Sequence, residues 1–169
     1  MLFACRNEMR DITAFDNSLD SLPGVSAYDI EFVYSDSAKI QVVLSAPTMH
    51  SYEDEDPYME FPDGFKVIFY NDDMTVKSQI TANYGINYRE RRFMEAKSNV
   101  VVNNYDTDEQ LNTEELIWDQ KKEIIYSNKF VKITTGDGVL YGDGLHSDQS
   151  FTNRHIIKPR GEILVDDDE

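Results

Sequence analysis

Apolar and polar residues alternate along most of the chain beyond residue 28. In Met74–Tyr84 every even position is apolar or small and every odd position is polar. Successive side chains of a β-strand point to opposite faces, so this pattern predicts one half-buried strand over the whole segment. Similar alternation at residues 40–46 and 65–70 predicts two more strands.

Short apolar runs follow, separated by clusters of turn-forming residues. The runs lie at residues 100–102, 116–118, 124–126, 130–133, 139–141 and 156–157. The turn clusters lie at residues 35–37, 71–73, 103–106 and 136–138. Many short apolar runs between such clusters are typical of antiparallel sheets. The segment 107–116 is the only helical candidate, and it is better explained as a loop that enters a strand. The chain is therefore predicted to be all-β.

A weak internal repeat supports this architecture. Residues 88–92 align with residues 118–122, and Val100 and Val102 align with Val131 and Ile133 one position later. A fainter third copy includes residues 147–149. Repeats of this length indicate stacked units that bury an apolar face only together.

Composition narrows the function classes. The chain has 169 residues, a net charge of −16 and a mean hydropathy of −0.53. This charge disfavours nucleic acids as partners, because their binding requires neutralised phosphates. The single cysteine excludes an internal disulfide and any metal site that needs several cysteines. No cofactor and no metal site is predicted.

Catalytic groups are hard to assemble from this sequence. His50, His146 and His155 lack partners at ligand spacing, and the acidic cluster at residues 53–56 lacks the spacing of a calcium loop. Carboxylates are too abundant to identify a catalytic pair. The chain is predicted not to be an enzyme; the enzymatic alternative, a carbohydrate-active jellyroll, requires two acids converging in a cleft beside exposed aromatic residues.

Five basic residues fall in equivalent turns of two repeat units. If the units stack, they form a basic rim on an acidic body, suited to phosphate or to the carboxylates of a partner. The alternative is that they only keep hairpin tips soluble. These residues are Arg89, Arg91, Arg92, Lys121 and Lys122.

The amino terminus has the form of a bacterial lipobox. Leu2, Ala4 and Cys5 occupy its aliphatic, small and cysteine positions, but no charged and apolar signal region precedes them. We expect Cys5 to be lipidated and the full signal peptide to be absent from this sequence. A basic and then apolar stretch in the reading frame upstream of Met1 would test this expectation. The alternative is a chance tetrapeptide ahead of an ordinary cysteine.

From about Tyr28 to Ile163 the sequence resembles the LptC family of lipopolysaccharide export proteins. The most distinctive match is the segment 110–119 followed by Ile124-Ile125-Tyr126-Ser127. The order and spacing of the other matching pieces support it: residues 29–34, 35–38, 40–46, Tyr52, 61–62, 65–70, 80–85, 100–102, 130–134, 142–145 and 147–148. Two features depart from the family: Ala38 replaces a glycine common in the first turn, and we expect Cys5 to substitute for the usual amino-terminal transmembrane helix.

The resemblance implies an open β-jellyroll of two packed antiparallel sheets with OstA-like or LptA-like repeats. It also implies a lipid-carrier bridge in the periplasm, anchored to the inner membrane. Such a bridge accepts the acyl chains of lipopolysaccharide from the inner-membrane ABC transporter and passes them to a periplasmic LptA-like jellyroll protein by β-strand augmentation. A lipid-anchored scaffold without lipid cargo is the alternative.

The expected organisation has three parts: a lipobox remnant and polar tether at residues 1–27, the jellyroll at 28–164 and an acidic tail at 165–169. Fourteen alternating apolar residues are predicted to line the lipid groove, although each is also consistent with an ordinary core position. They are Ile40, Val42, Leu44, Val67, Phe69, Val76, Ile80, Tyr84, Val100, Val102, Leu116, Trp118, Val131 and Ile133.

Overall fold

The computed structural model describes residues 22–53, 55–148, 151 and 153–163, and this part of the chain folds into antiparallel strands. Cys5 and the acidic tail at 165–169 lie outside the described residues. Among the described residues no helix has the length and apolar character to cross a membrane. The strands are β1 (Val25–Asp36), β2 (Lys39–Tyr52), β3 (Tyr58–Phe61), β4 (Phe65–Tyr70), β5 (Val76–Ala82), β6 (Tyr84–Tyr88), β7 (Phe93–Asn104), β8 (Glu109–Asp119), β9 (Ile124–Ser127), β10 (Val131–Thr135), β11 (Gly138–Gly142), β12 (Gly144–Asp148), β13 (Arg154–Ile157) and β14 (Arg160–Ile163).

Three long strands change partners halfway along their length. In β7, residues 93–97 pair with β6 and residues 101–104 pair with β5. In β8, residues 117–119 pair with β9 and residues 110–113 pair with β10. The strand β2 likewise pairs first with β4 and then with β3. The molecule is thus one antiparallel meander that is bent across its strands, which confirms the prediction of an all-β, jellyroll-like fold.

The bend divides the meander into two facing sheets. Sheet I comprises residues 25–28 of β1, 48–52 of β2, β3, β6, residues 93–97 of β7, 115–119 of β8, β9, β12 and β13. Sheet II comprises residues 30–36 of β1, 39–46 of β2, β4, β5, residues 100–104 of β7, 109–113 of β8, β10, β11 and β14.

Unusual backbone conformations mark the bend. Asp29, Ser98 and Asn99 have positive φ angles of 49°, 61° and 52° where β1 and β7 pass from one sheet to the other. Gly64, between β3 and β4, has a φ of 83°. Left-handed conformations interrupt the ladder and kink a strand, so they let each strand turn without ending the meander.

The bend also buries polar side chains with their partners. Thr113 Oγ1 lies 3.0 Å from Ser127 Oγ and donates a hydrogen bond of 3.0 Å to the carbonyl oxygen of Phe130. The Ser127 side chain is fully buried. Because a buried hydroxyl without a partner is costly, this pairing stabilises the point where β8 and β9 diverge.

One strand differs from the sequence-based expectation, and one turn residue has an unusual backbone conformation. The predicted strand Met74–Tyr84 is interrupted: β5 begins at Val76, and the bend at Asn83 separates it from β6. The tight turn between β1 and β2 places Ala38 at a φ of 63°, the region that a glycine adopts without strain. The family's usual glycine at this turn therefore has a physical reason.

The apolar core lies between the two sheets. Its most buried members, Val100, Val131 and Leu145, are each at most 1% exposed. Ala96 and Leu116 join the same cluster from sheet I. The closest packing is therefore beside the bend, where the sheets converge.

Gly85 in sheet I packs closely against the ring of Phe65, so replacing this glycine tests the packing. A Cβ at residue 85 would lie 2.5 Å from Cε1 of Phe65. We expect Gly85→Ala to lower the free energy of unfolding by about 1–3 kcal/mol, as overpacking does. Urea unfolding measures it. Gly136→Ala is the control, because no atom lies within 4 Å of its added Cβ. Equal stability of both variants would contradict the expected clash.

Candidate functional site: an apolar cavity between the sheets

A cavity of about 450 Å³ opens between sheet I and sheet II. This volume falls within the range of about 300–1,000 Å³ that is common for small-molecule sites. Both sheets contribute to its wall, and most of the lining side chains are apolar. The apolar lining residues are Val42, Leu44, Phe61, Phe65, Val67, Phe69, Ile80, Ile86, Met94, Ala96, Val102, Leu111, Leu116, Trp118, Ile125, Ile133 and Phe151.

Polar lining residues include several at the ends of the sheet II strands. Lys77 and Ser78 lie near the start of β5, Asn104 ends β7 and Glu109 begins β8. Arg154, at the start of β13 in sheet I, donates hydrogen bonds of 2.8 and 2.7 Å to the two carboxylate oxygens of Glu109. The wall therefore combines a broad apolar surface with a polar margin that includes one ion pair across the sheets.

Nine of the fourteen predicted groove residues line this cavity, which brings them together from six strands. In sheet II they come from β2, β4, β5, β7 and β10, and in sheet I from β8. They are Val42, Leu44, Val67, Phe69, Ile80, Val102, Leu116, Trp118 and Ile133.

The other five predicted groove residues lie elsewhere. Val100 and Val131 are buried in the core beside the bend. Ile40 and Val76 lie near the outer end of sheet II, and Val76 is 38% exposed. Tyr84 lies beyond the bend, and its hydroxyl donates a 2.8 Å hydrogen bond to Glu60. Burial and this hydrogen bond raise the pKa of Tyr84.

Sequence reasoning missed much of the sheet I wall. Phe61, Met94 and Ile125 contribute to it. One signal was available in β8. Its inward-facing residues change from odd to even positions, because Leu111 and Leu116 both line the cavity from opposite sides of the bend. The polar lining residues carried no signal, because the chain has many charged residues and alternation does not distinguish them.

Trp118 contributes a buried hydrogen-bond donor to the cavity wall. Its indole Nε1 is buried and has no hydrogen-bond partner among the described residues. A buried donor without an acceptor is unfavourable, so a ligand oxygen or a water molecule would relieve this cost.

The five basic residues of the predicted rim lie in neighbouring turns of sheet I, and the Gln120 amide donates a 2.9 Å hydrogen bond to the Arg92 carbonyl. Their charges are partly neutralised by the chain itself. Arg91 forms an ion pair with Asp56 and stacks over Tyr88, while Lys122 pairs with Asp119 at 2.8 Å. Arg89 contacts the Met59 sulfur. The turns are thus neighbours, but three of the five cations already have partners.

The bent sheet thus encloses an apolar cavity between two antiparallel β layers. A family model described as lipopolysaccharide-assembly, LptC-related, matches residues 20–156. The chain therefore belongs to the LptC family, which confirms the resemblance in its motifs. Membership implies involvement in lipopolysaccharide transport, and members of this family are periplasmic and associated with the inner membrane. No curated protein matches the chain.

The ion pair between Arg154 and Glu109 predicts a pH dependence of stability. The hydrogen bonds from Arg154 hold the pKa of Glu109 below its ordinary value of 4.5. A carboxyl group whose native pKa is lowered stabilises the fold above its unfolded pKa, and this stabilisation disappears as the pH falls through the native pKa.

We therefore expect Glu109→Gln to lower the free energy of unfolding near neutral pH and to have a shrinking effect below about pH 4.5. Urea unfolding of both proteins across this pH range measures it. Arg154→Gln should reduce the same pH dependence, because it removes the largest cause of the lowered pKa and leaves only the hydrogen bond from Thr107. A difference between wild type and Glu109→Gln that stays constant with pH would contradict the assignment.

Proposed function

We propose that this protein is a periplasmic lipid carrier that holds the acyl chains of lipopolysaccharide in the cavity between its sheets. It accepts them from the inner-membrane ABC transporter and passes them to an LptA-like jellyroll protein. The apolar cavity of about 450 Å³ is the observation that carries this proposal. Removing apolar surface from water contributes about 25 cal/mol per Å², so acyl chains gain from such a wall without any covalent chemistry.

The cavity favours a carrier over a scaffold without cargo. A scaffold gains stability by filling the space between its sheets, because interiors are normally close-packed. Here Phe65, Phe69 and Leu111 line open space instead of closing it. An unfilled wall of large apolar side chains has a purpose when a ligand completes the packing.

The charge of the protein determines which part of the cargo enters. With a net charge of −16, the body repels anionic phosphates. The head groups therefore stay outside while the neutral hydrocarbon occupies the cavity. Electrostatic repulsion of the head group also limits the residence time, which suits a protein that must release its cargo.

The strand β1 offers an edge for a neighbouring sheet. It pairs with β2, and no other described strand pairs with it. Phe32, Val33 and Tyr34 are 46%, 50% and 64% exposed, although an edge strand is normally protected by charge or coverage. An exposed apolar edge is suited to β-augmentation, in which a partner strand continues the ladder.

The strands β13 and β14 form the opposite end of the two sheets, so a second jellyroll can extend the cavity there. Under this proposal one end meets the transporter and the other meets the next carrier. We also propose that lipidated Cys5 attaches the chain to the inner membrane, which a signal sequence in the upstream reading frame would support.

Photo-crosslinking tests the cargo. With a photoreactive amino acid at Phe69, which lines the cavity, we expect crosslinks to lipopolysaccharide in cells. The same probe at Val76, on the neighbouring strand but outside the cavity, is the control and should give at least about tenfold less product. Mass spectrometry of the adducts provides the measurement. Export that continues without any crosslink at Phe69 would defeat the proposal.

A charge on β1 tests the edge. We expect Val33→Lys to weaken binding to a jellyroll domain of the transporter by at least about tenfold, because edge lysines prevent strand pairing. Pull-down with the purified transporter measures binding, and circular dichroism checks the fold. Tyr105→Lys, an exposed aromatic site in the β7–β8 turn, should bind normally. Equal binding by both variants would show that the partner uses another surface.

A further inference from the structure

A second cavity of about 340 Å³ lies beside the first, toward the β13 and β14 end of the molecule. Its apolar wall includes Ile133 of β10, Leu140 of β11 and Ile156 of β13, so it too lies between sheet II and sheet I. Under the proposed function, cargo that leaves at this end has to pass this second space.

Three residues line both cavities: Glu109, Ile133 and Arg154. Glu109 belongs to β8 in sheet II, whereas Arg154 belongs to β13 in sheet I. In sheet I the strands β9 and β12 lie between β8 and β13, so the ion pair is not a contact between neighbouring strands. It crosses the gap between the sheets at the boundary of the two cavities.

We propose that the Arg154–Glu109 ion pair is a latch that separates a first acyl-chain compartment from a second one. This inference rests on the proposed function, and it assigns the second cavity to the same ligand class, a saturated hydrocarbon chain. With the latch closed, a chain occupies the first cavity alone. With the latch open, the two cavities form one continuous space toward the β13–β14 end, whose wall includes Thr135 and Asp137 beside the apolar residues.

The geometry suits a latch that both holds and opens. Arg154 Nη1 donates a 2.8 Å hydrogen bond to Glu109 Oε2 and Nη2 donates a 2.7 Å hydrogen bond to Oε1, and such forked pairs fix the orientation of both side chains. The side chains of Arg154 and Glu109 remain 32% and 18% exposed. Because water can still reach the charges, separating them costs far less than separating a fully buried pair.

Neighbouring residues help to fix the position of the ion pair. Thr107 donates a 3.0 Å hydrogen bond from Oγ1 to Glu109 Oε2, which orients the carboxylate from the β7–β8 turn. Ile133 lines both cavities together with the pair and is the apolar residue that they share. The end of an acyl chain that reaches this boundary meets two charged groups. A longer acyl chain therefore gains no binding affinity until the two groups separate.

The test is the dependence of affinity on chain length, measured with a series of saturated monoacylglycerols. Their head group is neutral, so a change of charge at residue 154 does not alter attraction to the head. In wild type we expect each added methylene to tighten binding about fourfold until the first cavity is filled, after which the affinity levels off. In Glu109→Gln/Arg154→Gln the increase should continue to longer chains, with at least about tenfold tighter binding than wild type there.

Two further variants separate the latch from general disturbance of the fold. The exchange Glu109→Arg/Arg154→Glu rebuilds an ion pair with reversed direction and should restore the wild-type plateau. Asp143→Asn removes the surface partner of Arg160 and Lys158 away from both cavities, and it should keep that plateau. Either single neutralisation, Glu109→Gln or Arg154→Gln, should extend the series as well, so the result does not depend on the double variant folding.

The outcomes distinguish the two proposals. A continued increase in the neutralised variants and a plateau in wild type, the exchange variant and Asp143→Asn support the latch. The same plateau in every variant, or an exchange variant that behaves like the neutralised ones, overturns the latch while acyl binding stands. Wild-type protein that binds no member of the series overturns the proposed function and the latch with it.

Discussion

The bend across a single antiparallel meander is the constraint on which the rest of the structure depends. The strands β1, β2, β7 and β8 run through both sheets and supply ladder hydrogen bonds to each, so neither sheet can slide or separate without disturbing the other. Left-handed residues such as Ser98 and Asn99 hold the bend, and buried pairs such as Thr113 with Ser127 satisfy its polar groups. The bent backbone and the apolar core between the sheets therefore both hold the two walls of the cavity together.

The buried core beside the bend helps to explain how the fold remains stable around a cavity. The core beside the bend is closely packed, with Val131 and Leu145 fully buried. Farther from the bend, Phe69 of sheet II and Trp118 of sheet I both line the cavity. The buried core cluster continues from the bend into the cavity wall, where it includes Leu111, Leu116 and Ile125.

Sequence alternation predicted the strands well but placed only part of the cavity. The strand at residues 65–70 agrees with the structure residue for residue, because its alternation ends at clear turns on both sides. Alternation tells which face of a strand is apolar, but not how far along the strand the cavity extends. Val100 and Val131 have the predicted facing and lie too close to the bend, whereas Ile40 and Val76 lie too close to the outer end.

Other features required the three-dimensional structure. No glycine or proline marks the bend at Asn83, between β5 and β6. The predicted strand therefore continued to Tyr84, which belongs to the other sheet. The pairing of Glu109 with Arg154 joins residues 45 positions apart on strands that are not neighbours. No local pattern encodes such a contact, because it exists only after the sheet has bent.

The meander also limits how proteins of this architecture can change in size during evolution. A single inserted strand would reverse the chain direction and leave later strands on the wrong edge, so viable insertions add complete hairpins. Strands within a sheet are spaced by about 4.8 Å, so an additional hairpin whose two strands both cross the bend, as β7 and β8 do, lengthens both walls together by about 10 Å. The length of the cavity walls would therefore change in steps of one bent hairpin, while the distance between the two sheets stays the same.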